Sequence, residues 1–291
     1  PFALTRLATG TPIFPAHLHR TFEGRGEFGR RSAVGTGPYK VESLDATKGV
    51  VLVRNEDYVS PGPWSPKADI RRIHILPMPE MQTQIAQLMT GGLDVILTAP
   101  KDQTDQLSSM PNAAVTVIDN TVYYYLNLDA IGRSGVEPLK NIDVRRALFM
   151  AIDRKALASG IIAGGDRVKV IDAPCTPIQV ACNVDNSAPA FNPSAARALL
   201  ARAGYGSGFA LEITSIFGAH EVAEAISGQL RAVGVKASIN RATMAAYRER
   251  QTSGNLPALV SHYSSGGLPD AVAVLDFYIG AKSRDYWGDA E

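Results

Sequence analysis

The sequence predicts an α/β protein arranged in two lobes, and three observations carry that expectation. Apolar patterning from residue 70 to residue 99 runs strand, helix, strand. A second alternation of helices and strands fills residues 193–263. Between them lies a long β-rich stretch, "AAVTVIDNTVYYYLNLD", interrupted by Asp119 and Asn120. Strands alternating with helices bury a sheet beneath helical layers, and an extended segment with a polar break suits a chain passing from one lobe to the next. The lobe boundary is therefore placed there, with residues 1–119 in the first lobe and 120–291 in the second.

Each element has a local cause. "VGTGPYKVESL" and "GVVLVRNEDYV" alternate apolar and polar residues, with Tyr39, Val41, Val51 and Val53 on one period of two, and the turn-prone "DATKG" joins them as a hairpin. After the proline-rich "PGPWSPKAD" comes the strand "IRRIHIL". "PEMQTQIAQLMTGG" places Met81, Ile85, Leu88 and Met89 at helical spacing and stops at Gly91 and Gly92. The strand "LDVILTA" and a short helix near 101–109 follow.

The stretch "PLKNIDVRRALFMAIDRKAL" packs two arginines, two aspartates and an apolar run into one helix. Asn141 can cap it, Asp143 complements its dipole, and Val144, Ala147, Leu148, Ala151 and Ile152 form one stripe. That stripe is core. Arg145 and Arg146 fall off it, with Phe149 and Asp153 within reach at helical spacing. Further on, "NPSAARALLARAGYGSGF" is a helix opened by Pro193 and closed by Gly204. "ALEITSI", "VKASIN" and "LPALVSHYS" read as strands, separated by the helices "HEVAEAISGQLRAVG" and "TMAAYRERQTSG".

Composition narrows function by exclusion. The chain has 291 residues, 45% of them hydrophobic, enough for one large or two medium cores. With 29 basic against 28 acidic side chains the balance is +1, which is not the charge of a nucleic-acid binder. No apolar run reaches the roughly 18 residues of a membrane-spanning helix. The start at Pro1 and the end at "RDYWGDAE" are read as those of a piece of a longer protein.

Two cysteines occur, Cys175 and Cys182, seven apart in a proline-containing loop. They fit a local disulfide and an oxidising compartment; two buried thiols are the alternative, and a metal site would need further ligands nearby. "GRGEFG" at 24–29 has the letters of a dinucleotide fingerprint but neither the preceding strand nor the following helix that gives the motif meaning. His17 and His19 are too few for a metal site. Neither a nucleophile elbow, nor a phosphate loop, nor a zinc-binding histidine helix is present, so the expectation is a non-enzyme without cofactor or metal. What remains is aromatic. Tyr123, Tyr124 and Tyr125 lie on one strand, so Tyr124 must face away from its neighbours. Tyr263 ends another strand ahead of Ser264 and Ser265. A packed aromatic strand and one face lining a cleft are both open readings.

Several segments together resemble one family. "VGTGPYKV", "RNEDY", "IAQLMTGGLDVI", "YYYLNLD", "PLKNIDVRRALFMAIDR", "PSAARALLARAGYGSGF" and "ISGQLRAVGV" stand in the order found in the peptide/nickel-type extracytoplasmic solute-binding proteins (family 5) of ABC importers, and cover most of residues 30–240. The resemblance implies a two-lobed periplasmic-binding-protein fold, class II-like and of cluster C. It implies incompleteness at both ends, the first strands of the N-terminal lobe and the returning C-terminal segment falling outside this chain. It implies a monomer outside the cytoplasmic membrane, periplasmic or at the cell surface, that traps a peptide or other small molecule and delivers it to ABC permease transmembrane subunits. A non-transport sensor or chaperone-like binder of the same fold is the alternative. Carried over residue by residue, Tyr124 stands where a strand tyrosine of the family faces ligand. Tyr263 stands in place of a tryptophan at a strand end, and no acid follows until Asp270, so an ordinary free-amine peptide site does not carry over. Tyr124, Tyr263, Ser264, Ser265 and Asp270 are the ligand residues this implies.

Overall fold

A computed structural model describes residues 15–17, 34–63, 66–97, 99–118, 122–162, 164, 167–177, 179–182, 188–216, 218–263, 271, 285, 286 and 288. These fall into two compact units, one within Gly10–Thr98 and one within Ala99–Glu291. Asp119 and Asn120, where the lobe boundary is expected, lie outside the described residues, as do His19 and the glycine-rich stretch at 24–29.

The first unit holds an antiparallel sheet of β1 (Tyr39–Asp45), β2 (Gly49–Arg54) and β3 (Arg72–Ile75), in that order. The expected hairpin forms, with a register shift between Val41 and Ser43. Its turn is built by Asp45, whose Oδ1 accepts from the Thr47 amide, the Thr47 hydroxyl and the Lys48 amide, each at 2.8 Å; these bonds hold its carboxyl below the usual range. Gly49 must be glycine, because φ is +91° and a Cβ there would lie 2.0 Å from the Ile75 carbonyl oxygen. Helix α1 (Met81–Met89) forms as expected and ends at Gly91 in the left-handed region, with Met81, Ile85 and Leu88 half-buried.

The strand expected at 93–99 is not found among the described residues. Val95 is 70% and Leu97 91% exposed. A short apolar run forms a strand only where a neighbour supplies the ladder and the opposing side chains, and no described strand runs beside this segment. The stretch 111–118 is likewise without regular structure, following the short helix α2 (Lys101–Ser108).

The second unit is α/β. Its sheet runs β4 (Tyr123–Leu128), β7 (Ala258–Tyr263), β5 (Ala210–Ser215), β6 (Lys236–Arg241), with β4 antiparallel to β7 and the other neighbours parallel. The helices are α3 (Ile142–Met150), α4 (Arg154–Gly160), α5 (Pro193–Arg202), α6 (His220–Ala232) and α7 (Met244–Ser253). One sheet face, carrying Leu128, Leu211, Ile213, Ala258 and Val260, packs into one core with Val144, Leu148, Leu200, Ile226 and Leu230. The other carries Leu259 against Ile216, Tyr247, Leu256 and Tyr286. The α3 stripe is as read from the sequence: Val144, Ala147, Leu148, Ala151 and Ile152 are all buried.

The two arginines of α3 behave differently from each other. Arg146 pairs with Asp143 at 3.6 Å on the surface. Arg145 is half-buried and its Nη1 donates to the carbonyls of Leu139 and Lys140, at 2.8 and 2.9 Å, at the end of the short 3-10 turn Glu137–Lys140. Asp153, expected to meet the arginines, instead caps α4 through the Ala156 amide at 2.9 Å. Helix ends leave carbonyls and amides without intrahelical partners, and side chains close by in the fold meet that need.

The loop after β4 is organised by Asp129, which is fully buried. Its carboxylate accepts from the Gly132 amide at 3.0 Å and from the Ser134 amide and hydroxyl at 2.6 Å. Arg133 then lies over the Tyr286 ring at 4.5 Å, and the Tyr286 hydroxyl donates to the Gln251 carbonyl at 2.9 Å. Burial pushes the Tyr286 phenol up to about 12, with the Asp129 charge adding and Arg133 opposing.

Cys175 and Cys182 form a disulfide with sulfurs 2.00 Å apart, so the local-bridge reading holds. Replacing both by serine should lower unfolding free energy by about 2 kcal/mol, since a loop this short restricts the unfolded chain only modestly. Urea midpoints of the parent and the double variant check this value; equal midpoints contradict it.

Candidate ligand-binding site

The order β5–α6–β6–α7–β7 carries the chain from β5 to β6 on one side and then back to β7 on the other. The winding thus reverses between β5 and β7. In open α/β sheets ligands bind beyond the carboxyl ends of the strands at such a point. Ser215 closes β5 and Tyr263 closes β7 at this edge, and antiparallel β4 begins beside them.

Register then decides which side chains share a face. Tyr123 pairs with Tyr263, Tyr124 with His262 and Tyr125 with Ser261, and residues opposite one another point to the same side. Tyr123, Tyr125 and Tyr263 therefore occupy one face. The Tyr123 ring lies 6.3 Å from that of Tyr125 and 5.6 Å from that of Tyr263. The Tyr123 hydroxyl donates to the Pro174 carbonyl at 2.7 Å, and Tyr263 is only 7% exposed. This face is filled by its own tyrosines. Of the two readings of the aromatic strand, packing describes Tyr123, Tyr125 and Tyr263.

Tyr124 is on the other face, opposite to Tyr263, so the two do not line one wall together. It keeps 36% of its surface, and its ring meets His262 edge-on at 6.0 Å. Ser215, which pairs with Val260, shares this face, and a short hydrogen bond joins its hydroxyl to Nδ1 of His220, the first residue of α6. That contact fixes the start of α6 at the end of β5. Partial burial and the charge of neighbouring Glu221 raise the Tyr124 phenol above its ordinary value. Tyr124, His262, His220 and Glu221 together form an aromatic and polar shelf. It can stack against an apolar group and offer hydrogen bonds and one carboxylate. Ser215 has no exposed surface, so its pairing with His220 presents no hydroxyl to a substrate.

Ser264, Ser265 and Asp270 lie outside the described residues. Among the described residues no group of three or more His, Cys, Asp or Glu could hold a metal ion, and no helix is long and apolar enough to cross a membrane. Sequence reading passed over His220, Glu221 and His262. The first two had a signal, since a helix that begins five residues after a strand end must start at that sheet edge. His262 had none, because its place beside Tyr124 follows from pairing two strands far apart in sequence.

Comparison with known proteins agrees with this architecture. The profile of a family described as bacterial extracellular solute-binding proteins, family 5 Middle, matches residues 2–285. Heme-binding protein A of Haemophilus influenzae is 27% identical over 248 residues, which are 81% of this chain and 43% of that protein. The glutathione-binding protein GsiB of Escherichia coli K12 is 29% identical over 212 residues, 71% of this chain and 39% of that one. The crystal structure of a dipeptide binding protein from Pseudoalteromonas sp. SM9913 in complex with Met-Leu superimposes with a TM-score of 0.72 at 21% identity, covering 93% of this chain and 54% of that one. The chain thus spans about half the length of that structure and less of the curated relatives.

Proposed function

The chain belongs to the bacterial extracellular solute-binding proteins of family 5, and from that premise we propose that it is part of the substrate-binding component of an ABC importer. In this reading it captures peptides or peptide-like solutes and hands them to the permease's transmembrane subunits. The protein works as a monomer in the periplasm or at the cell surface, where its disulfide agrees with an oxidising compartment. Residues 1–119 are assigned to the N-terminal lobe and 120–291 to the second on the sequence, with β4 opening the second sheet at Tyr123; the compact units themselves divide at Thr98 and Ala99, which groups residues 99–118 with that sheet.

One observation carries the reading: Tyr124 stands exposed on β4, the strand next to the switch point of the second sheet, where a bound solute would meet it. Relatives named for glutathione and a structural neighbour holding Met-Leu supply the solute class. Tyr263 at the end of β7, Ser264 and Ser265 directly after it in sequence, and Asp270 further on are proposed to contact ligand as well.

The test uses the full-length protein. It is incubated with a pooled tetrapeptide mixture, and retained peptides are identified by mass spectrometry and measured by calorimetry. Retention is expected, with Tyr124→Ala weakening it about tenfold through loss of aromatic contact, or about 1.4 kcal/mol. A protein that retains no peptide, or a Tyr124→Ala variant as tight as the parent, contradicts the reading.

A further inference from the structure

We propose that the disulfide-closed loop 174–182 is a clasp that holds the ends of β4 and β7 together and so positions Tyr124 and His262. The loop is braced from within. Gln179 Oε1 accepts from the Thr176 amide at 2.8 Å and its hydroxyl at 3.2 Å, both residues being buried. The Gln179 amide donates back to the Thr176 carbonyl at 2.9 Å, and the Cys182 amide donates to the Gln179 carbonyl at 3.2 Å. With the Cys175–Cys182 bond closed across it, the loop has little freedom of its own.

From this braced body hydrogen bonds reach outward on two sides. Pro174 accepts from the Tyr123 hydroxyl at 2.7 Å, on the first residue of β4. Val180 accepts from the Ala271 amide at 3.0 Å, eight residues beyond the end of β7. One short loop therefore fastens the first residue of one strand of the pair and a point on the chain eight residues past the end of the other. The tethered Tyr123 also forms the terminal pair with Tyr263, their rings 5.6 Å apart.

Strand ends are where a ladder opens first. The next pair inward is Tyr124–His262, on the opposite face. If the terminal pair opens, the half-exposed shelf loses its footing. Pro174 and the two cysteines are thus positioning residues for the shelf. Any effect on ligand affinity rests on the proposed function; the structural clasp does not.

Hydrogen exchange of the full-length protein, oxidised and after treatment with dithiothreitol, tests the clasp. The dithiol supplies two electrons and two protons, two cysteine thiols form, and the reagent closes to its own disulfide. The amide of Tyr123, which faces β7, and that of Tyr263 should exchange roughly five- to tenfold faster after reduction, with α3 unchanged. Tyr123→Phe, which removes the bond to Pro174 and keeps the ring, should accelerate the same amides in the oxidised protein. Reduction should then add less in this variant than in the parent. Unchanged rates at the strand ends, a uniform rise that includes α3, or fully multiplicative effects of the two changes would overturn the clasp.

The same samples are tested for capture of the tetrapeptide pool. Weaker capture after reduction is expected. An exchange effect without any peptide capture sinks the ligand reading alone, whereas capture without an exchange effect sinks the clasp alone.

Discussion

Leu148→Ala is expected to lower unfolding free energy by about 2 to 5 kcal/mol. Leu148 is 0% exposed and sits in the middle of the α3 stripe, in the cluster that also holds Leu200, Ile213, Ile226 and Val260. Helix α3 packs on α5, and both cover the same face of the sheet. Truncation removes three carbons from a site enclosed by two layers, and neighbours fixed in helices and strands close such a cavity only in part. Arg146→Ala, on the same helix, should change stability by less than about 0.5 kcal/mol, because its ion pair with Asp143 is solvent-screened. Arg145→Ala should fall between, at about 1 kcal/mol, for two carbonyls left without their donor. Denaturant titration of the three variants gives the order, and a Leu148→Ala midpoint above that of Arg145→Ala would show the core assignment to be wrong.

Asp129→Ala should cost about 3 kcal/mol, although Asp129 lies in a loop. Its carboxylate is wholly buried and accepts from the Gly132 amide and from both the amide and the hydroxyl of Ser134. Alanine would leave three donors unanswered in the turn that carries Arg133 to the Tyr286 ring. Hydrogen bonds to a charged acceptor are stronger than neutral ones, and a donor left buried without a partner bears its desolvation cost in full. Asp129→Asn keeps one carbonyl acceptor and should lose about half as much. Thermal and urea unfolding measure both. A loss under about 1 kcal/mol for Asp129→Ala would mean that the turn holds by its backbone alone.

The hairpin, the α3 stripe, the cap at Asn141 and the disulfide were legible in the sequence, because each is decided by residues close to one another along the chain. Periodicity tells a helix which face to bury wherever it packs, and two cysteines seven apart can meet without help from the rest of the chain. The family, too, could be read from ordered local segments. What local pattern leaves open is who the partner is. "LDVILTA" has the short apolar run of a strand, yet no described strand pairs with it, and Val95 and Leu97 stay exposed. Arg145 looked like a surface charge until the turn at Glu137–Lys140 brought two carbonyls within its reach. Above all, the sequence established that Tyr124 faces away from Tyr123 and Tyr125, but it could not say which side is sealed. That was decided by pairing β4 with β7, more than 130 residues later, and by the loop that supplies Pro174. A strand's two faces are equivalent until long-range pairing and the layers above and below distinguish them.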